Sequence, residues 1–295
     1  MGTVVNLNGR IVPPAEATVS VFDRGFLYGD SVYEVVRTYG GRPFAMDKHL
    51  VRMHGSAARI GMELPWDDAR INAEVDRTLA AAGNEESYVR IVATRGSGPI
   101  GLDTALAIDP LVMVLVQPIQ LPPPEAYENG VKVQLVGVRK NPRESIDPRA
   151  KTGNYLNNVL ALREAKAHGA YEAVMLDGEG RITEGSTSNL FVVRDGTLIT
   201  PPSAVGILEG VTRAVIFEVA AAEGIPVEER HLLPADLTGA DEAMITSSVR
   251  EILPVVRVGM NGAEHAIGSG TPGPMVRRIT TAFRAWARRS VGLAP

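Results

Sequence analysis

A lysine and a glutamate stand out in this chain for their surroundings. Lys151 lies in Arg149-Ala150-Lys151-Thr152-Gly153-Asn154-Tyr155, just before a run with apolar residues at Leu156, Val159, Leu160 and Leu162 and with Arg163 and Glu164 on the other side. That spacing predicts an amphipathic helix beginning about three residues past the lysine, so Lys151 belongs to a strand-to-helix turn. Most lysines are solvated surface groups. One held on such a turn and partly desolvated is an amine nucleophile toward an aldehyde, which is Schiff-base chemistry.

The glutamate lies in Arg181-Ile182-Thr183-Glu184-Gly185-Ser186-Thr187-Ser188-Asn189-Leu190-Phe191, where small hydroxyl residues crowd around one acid. The flanking runs, 172–177 and 190–193, read as strands, which puts Glu184 at a strand end beside Gly185. By residue type alone an exposed turn glutamate is an equally good reading. A lysine for a Schiff base and an acid for a pyridinium nitrogen are, however, the two groups that pyridoxal phosphate chemistry requires, the acid keeping the ring an electron sink.

A third segment, Gly210-Val211-Thr212-Arg213, completes a set that occurs in a fixed order. With these three segments the chain resembles the class IV, or fold-type IV, pyridoxal-phosphate aminotransferases, from about Asn6 to about Val256. That family holds branched-chain, D-amino acid and some amine transaminases together with aminodeoxychorismate lyase. The resemblance implies a two-domain fold of the α+β and α/β kind, with a small N-terminal α+β domain and a larger, barrel-like C-terminal α/β domain. It implies pyridoxal 5'-phosphate as cofactor, with Lys151 as Schiff-base nucleophile and proton shuttle. Glu184 then holds the pyridinium, Tyr155 bonds the phenolic oxygen and Leu208 packs on the ring face. His49-Leu50-Val51-Arg52-Met53-His54-Gly55-Ser56-Ala57 matches the family's phosphate-binding motif at Arg52. A guanidinium forks onto phosphate oxygens. The backbone of Val211 and Thr212 at a helix start is a matching anion site, and Ser247 and Ser248 add hydroxyls. Tyr28, Tyr33, Arg37, Tyr88 and Arg90 would line the substrate side.

On the substrate the motifs divide. Tyr88-Val89-Arg90, the loop from Gly96 to Leu102 and the Gly-Asn-Tyr after the lysine look like the branched-chain group. Ile100-Gly101-Leu102 stands where D-amino acid enzymes usually show Arg-x-His. Val32-Tyr33-Glu34-Val35-Val36 reads like the D-amino acid group, with Val35 where branched-chain enzymes generally have glycine. The leading expectation is transfer between a branched-chain L-amino acid and 2-oxoglutarate. D-amino acid or (R)-amine transamination comes next, then the lyase, and from another class a cofactor-free binding protein.

The elements that must position these groups follow from pattern and punctuation. Val4 to Val12 alternates around Asn8-Gly9, a type I′ hairpin signal, and Thr18 to Phe22 reads as a further strand. Phe26 to Gly41 is β-rich. Asp47 is placed to cap a helix through Ile60, and Asp67-Asp68 after Pro65 opens another that ends at Ala82-Gly83. Ser87–Thr94 and Leu111–Val116 read as strands. The literal G-x-G-x-x-G between them, Gly96 to Gly101, contains Pro99 and opens no helix, so it is no dinucleotide fingerprint. The proline-rich stretch 117–125 reads as a linker, dividing residues 1–117, 118–125 and 126–295, with the lysine in the last. Lys132–Val138 reads as a strand, Asp195-Gly196 as a hairpin turn, and Pro274–Arg289 as a helix with Met275, Ile279, Phe283 and Trp286 facing the core.

Bulk composition narrows the classes. At 295 residues two domains are favoured over one. A net charge of −4 leaves no basic footprint for nucleic acid. The absence of cysteine removes disulfides, thiolate nucleophiles and cysteine zinc sites, and no histidine set has metal spacing. There is no membrane-length apolar run and no secretory-type start, so the cytoplasm is expected. The expected partners are a small amino acid, a 2-oxo acid and, through the family, a second copy in a homodimer or larger homo-oligomer.

Overall fold

The computed structural model describes residues 2–295. By packing, the chain forms two units. The first holds Met1–Gln120 with Ala150–Asn154 and Ser290–Leu293, and the second holds Leu121–Arg149, Tyr155–Arg289 and Ala294–Pro295.

The first unit opens with β1 (Val4–Leu7) and β2 (Arg10–Val12), joined through Asn8 at φ 49° and Gly9 at φ 90°. Two successive left-handed residues are what a type I′ turn demands. Then come α1 (Arg24–Tyr28), β3 (Ser31–Tyr39), β4 (Arg42–Pro43), α2 (Met46–Arg59), α3 (Asp68–Ala82), β5 (Ser87–Ser97) and β6 (Asp109–Pro118). The strands form one antiparallel sheet in the order β2-β1-β6-β5-β3-β4. β3 and β5 pair from Ser31 opposite Thr94 to Arg37 opposite Tyr88. Directly paired residues share a face and neighbours alternate. Val32 and Val36 with Val89, Ile91 and Ala93 therefore join Leu50, Met53, Ile71 and Val75 of α2 and α3 in one apolar core. Tyr33, Val35 and Arg37 share the opposite face with Tyr88, Arg90 and Val92. The pleat has thus gathered four of the five expected substrate residues on one side.

Three local expectations are corrected here. Thr18–Phe22 is not a strand, because the Ser20 hydroxyl and carbonyl accept from the N–H groups of Phe22 and Asp23 and turn the chain into α1. α1 takes Phe26 to Tyr28 out of the β-rich run, its start capped by the Asp23 carboxylate on the Gly25 N–H at 2.7 Å. Asp47 is not the cap of α2, which starts one residue earlier behind Ala45 at φ 50°, with Asp47 in its first turn. α3 has the expected ends, Asp67 accepting from Arg70 N–H and Gly83 closing it at φ 61°.

The lysine segment follows the linker in sequence yet packs with the first unit, because its backbone docks on β3. Tyr33 N–H donates to the Lys151 carbonyl and Gly153 N–H to the Ser31 carbonyl, both at 3.0 Å, around a bridge between Val32 and Thr152.

The second unit runs through α4 (Pro124–Glu128), β7 (Val131–Leu135), α5 (Leu156–Ala167), β8 (Glu172–Leu176), β9 (Ile182–Gly185), β10 (Asn189–Arg194), β11 (Thr197–Thr200), α6 (Val211–Ala222), β12 (Val227–Glu229), α7 (Pro234–Thr238), β13 (Glu242–Ser247), β14 (Glu251–Met260), β15 (Ala263–Ala266) and α8 (Pro274–Ser290). Its sheet is mixed, in the order β12-β11-β10-β13-β14-β7-β8-β9 with β15 on β14. Val133, Val174, Ile182, Leu190, Ile245 and Leu253 lie in its main core. Two helix faces differ from expectation. α5 buries Ala161 and Ala165 against Ala173 and Met175, while Leu156 is 70% and Val159 56% exposed. Small residues let the helix lie close to the sheet, and its larger apolar side chains stay outside. α8 buries Val276, Ile279, Phe283 and Ala287, leaving Met275 and Trp286 half-buried at the margin.

Candidate active site

Lys151 is seated by its main chain. Its N–H donates to the Ser56 hydroxyl of α2 at 3.0 Å and its carbonyl accepts from Tyr33, so the fold fixes the segment through its backbone. The ammonium lies 4.4 Å from the centre of the Tyr33 ring. The same ring carries the Arg90 guanidinium at 3.9 Å, reached across the β3–β5 pairing. On the same face Arg37 is buried over Tyr39 at 4.2 Å, and Tyr88 is paired opposite it. Tyr28 ends α1 and its hydroxyl accepts from Gly101 N–H at 3.3 Å, which ties it to the glycine-rich loop.

Arg52 belongs to a buried charge cluster that sequence reasoning saw only in part. Its Nε and Nη2 donate to the two oxygens of Glu34 at 2.7 and 2.6 Å, and His49 Nδ1 lies 2.7 Å from the same carboxylate. Glu34 alternates onto the helix-facing side of β3 and is fully buried. Burial alone would raise its carboxyl, but the Arg52 guanidinium and His49 outweigh that and hold it down to about 2. Burial pushes His49 below the ordinary histidine value; Glu34 opposes this, and the charges of Arg52 and Lys151 add to it. Burial thus favours the neutral form of His49, which lies against the Glu34 carboxylate. The His-Leu-x-Arg spacing puts His49 and Arg52 on one helix face, and an acid at an apolar strand position was the available sign of their partner.

Within the second unit Glu184 is buried in β9 and held on both oxygens. Oε2 accepts from Leu208 N–H at 3.1 Å and Asn189 Nδ2 at 3.2 Å, and Oε1 lies 2.6 Å from Lys140 Nζ. Asn189 also donates to the Leu208 carbonyl at 2.9 Å, so one amide clamps both residues. α6 begins at Val211 behind Gly210, which is extended and has no side chain to cap the helix, and Thr212 is buried in its first turn. The first N–H groups of a helix have no intrahelical partner, and such groups can take an anion. Ser247 ends β13 with its hydroxyl accepting from Arg250 Nε at 3.1 Å; Ser248 follows in the turn. Tyr155 is the half-buried residue preceding α5.

The unit also contains a scaffold that the sequence did not disclose. Glu172 is fully buried in β8 and accepts from the Ser186 N–H and hydroxyl, from Thr187 Oγ1 at 2.9 Å and from Arg250 at 3.0 Å. Burial would raise its carboxyl, and the Arg250 charge with the Ser186 and Thr187 hydroxyls brings it below the ordinary range. This carboxylate is what gathers the hydroxyl-rich turn next to Glu184.

Within the second unit a helix N-terminus, hydroxyls and a buried carboxylate are groups of the kind that a phosphorylated pyridine takes. Thr246 adds to the fit. It pairs with Asn189 across β10 and β13, so the two side chains share a face, and its buried hydroxyl has no hydrogen-bond partner among the described residues. A buried hydroxyl in that state is an exception that a bound polar group would explain. Among the described residues no acid, histidine or cysteine cluster could hold a metal, and no helix is long and apolar enough to cross a membrane.

The family model for class IV amino-transferases matches residues 31–258, and the chain belongs to that family. A Methanocaldococcus jannaschii protein with the provisional name branched-chain-amino-acid aminotransferase is 39% identical over 254 residues, covering 86% of this chain and 87% of the relative. The D-alanine aminotransferase of Bacillus licheniformis is 32% identical over 280 residues, 95% of each chain. Among solved structures, the Escherichia coli branched-chain amino acid aminotransferase superposes with a TM-score of 0.91 at 30% identity, covering 97% of this chain and 95% of that one. Two further structures of this fold, 31% and 30% identical, are complexes with pyridoxamine 5'-phosphate and N-(5'-phosphopyridoxyl)-L-glutamate. The protein is a fold-type IV, pyridoxal-phosphate-dependent aminotransferase acting on an amino acid and a 2-oxo acid.

Proposed function

We propose that the chain transfers the amino group between branched-chain L-amino acids and 2-oxoglutarate. The observation that carries this reading is the Tyr33 ring flanked by Lys151 and Arg90. A guanidinium beside the reactive amine suits the second carboxylate of a five-carbon dicarboxylate acceptor. The 39% identity to the M. jannaschii relative supports the branched-chain side.

When bound, the cofactor supplies an aldehyde carbon and an electron-withdrawing ring. In this reading Lys151 is the nucleophile that tethers that carbon and, once released by the substrate amine, the base that moves the proton from the substrate Cα. The backbone seat of Lys151 confines that movement to its side chain. Arg52, the N–H groups of Val211 and Thr212, and Ser247 with Ser248 would take the phosphate. Glu184 would accept from the ring N–H, Tyr155 would donate to the phenolic oxygen, and Leu208 would cover the ring. Tyr28, Tyr33, Arg37 and Tyr88 orient the substrate.

A D-amino acid transaminase is the second reading, favoured by the 32% identity to the D-alanine enzyme over nearly the whole chain and by valine at position 35. Assembly as a homodimer belongs to the proposal as well, as the family resemblance implies.

The test is a visible absorption titration of the purified holoprotein with L-leucine, D-alanine and (R)-1-phenylethylamine, with 2-oxoglutarate as acceptor. A spectral change with L-leucine alone, reversed by 2-oxoglutarate, is expected. A change with D-alanine and none with L-leucine overturns the substrate, and full transamination by Lys151→Ala overturns the catalytic assignment.

A further inference from the structure

We infer that Lys140 is a positioning residue that sets where the proton of the cofactor's ring nitrogen resides, acting through Glu184. This rests on the reading of Glu184 as the partner of that nitrogen. Lys140 precedes Lys151 by eleven positions in the chain and carries no motif. Its backbone is fixed, N–H to the Leu176 carbonyl at 2.9 Å, and its ammonium reaches Glu184 Oε1 at 2.6 Å, with the two side chains only 10% and 6% exposed.

A carboxylate has about four acceptor positions. Lys140, Asn189 and Leu208 N–H take three on Glu184, which leaves one for a further N–H donor. The three are not equivalent: Asn189 and Leu208 orient the group, and only Lys140 brings charge. Two arrangements of that proton compete: a charged ring facing a carboxylate, and a neutral ring facing a carboxylic acid. An ammonium in contact with the carboxylate stabilises the first through its charge, so the proton stays on nitrogen and the ring keeps its positive charge. Without Lys140 that stabilisation is lost. The proton then shifts toward Glu184, the pair becomes neutral, and the ring withdraws electrons less.

The experiment loads the enzyme with cofactor 15N-labelled at the ring nitrogen and reads that nitrogen by NMR, alongside kcat and KM. Wild type and Lys140→Arg should give the signal of a protonated ring. Lys140→Met and Lys140→Gln should move it toward unprotonated pyridine, with kcat falling and KM for the amino acid nearly unchanged. Lys140→Gln retains a donor for Oε1 without its charge, and it serves as the folded comparison if Lys140→Met does not fold. Glu184→Gln separates the two levels of inference. If it leaves the nitrogen signal in place, Glu184 is not the partner. If it moves the signal while Lys140→Gln does not, the role of Lys140 alone is overturned.

Discussion

Glu34 offers a quantitative test of how Arg52, the arginine proposed for the phosphate, is held. Its carboxyl is held down to about 2 from an ordinary 4.5. A folded-state value below the unfolded one means that the charged carboxylate stabilises the fold. The contribution is complete above about pH 4.5 and disappears as pH falls toward about 2, and a shift of that size corresponds to about 3 kcal/mol. By about pH 3.5 roughly 1.4 kcal/mol of it should already be gone. Glu34→Gln removes the charge, and weakening the two ionic hydrogen bonds from Arg52 adds a cost that does not depend on pH. Denaturant unfolding of the apoprotein should therefore show a deficit of at least about 3 kcal/mol at neutral pH, narrowing as pH falls. Trp66, buried in the same core as α2, reports this unit in a Trp286→Phe background. A deficit below about 1 kcal/mol at neutral pH, or one that stays flat down to about pH 3.5, would refute the argument that charge pairing and not side-chain shape secures this cluster.

Two further substitutions probe other parts of the site. A Cβ at Gly210 would collide with Asn189 Oδ1, so Gly210→Ala should displace Asn189 from Glu184 and Leu208 and lose about 1–3 kcal/mol from two hydrogen bonds. Thermal unfolding and cofactor titration should both register it, and unchanged cofactor affinity would count against the clamp. Buried Arg24 bonds the carbonyls of Gly101, Leu102 and Asp103, at 2.7 Å for the first, and anchors on Asp30 at 3.0 Å. Arg24→Met should accelerate amide exchange and proteolysis confined to about residues 98–107, and unaltered protection there would show that the loop holds itself.

Much of this was readable from pattern. Asn8-Gly9 and Asp195-Gly196 marked their hairpins because few residues adopt positive φ without strain. Asp67 and Gly83 marked the ends of α3 for the same local reason. Lys151 and Glu184 were singled out by the residues around them and by the order of the segments that resemble the family, and Glu184 proves to be buried in β9. The rest depended on contacts distant in sequence. Lys140 meets Glu184 across 44 positions and Arg250 meets Glu172 across 78, and neither spacing has a signature. Leu156 and Val159 misled because helical periodicity reports an apolar stripe without saying what covers it. Thr18–Phe22 misled because alternation predicts a strand only where a sheet edge is open to receive it.

The way Lys151 is seated also separates two kinds of evolutionary constraint. Its N–H and carbonyl do the docking, and any residue other than proline could make the same two bonds, so the segment keeps its place whatever side chain it carries. On the proposed assignment the demand for lysine at this position comes from turnover and from the contact of its ammonium with the Tyr33 ring, not from the main-chain seat. A lineage released from catalysis could lose the amine in a single substitution and retain an intact shell around a vitamin-derived ligand, which would make this architecture a short step from a receptor or a storage protein.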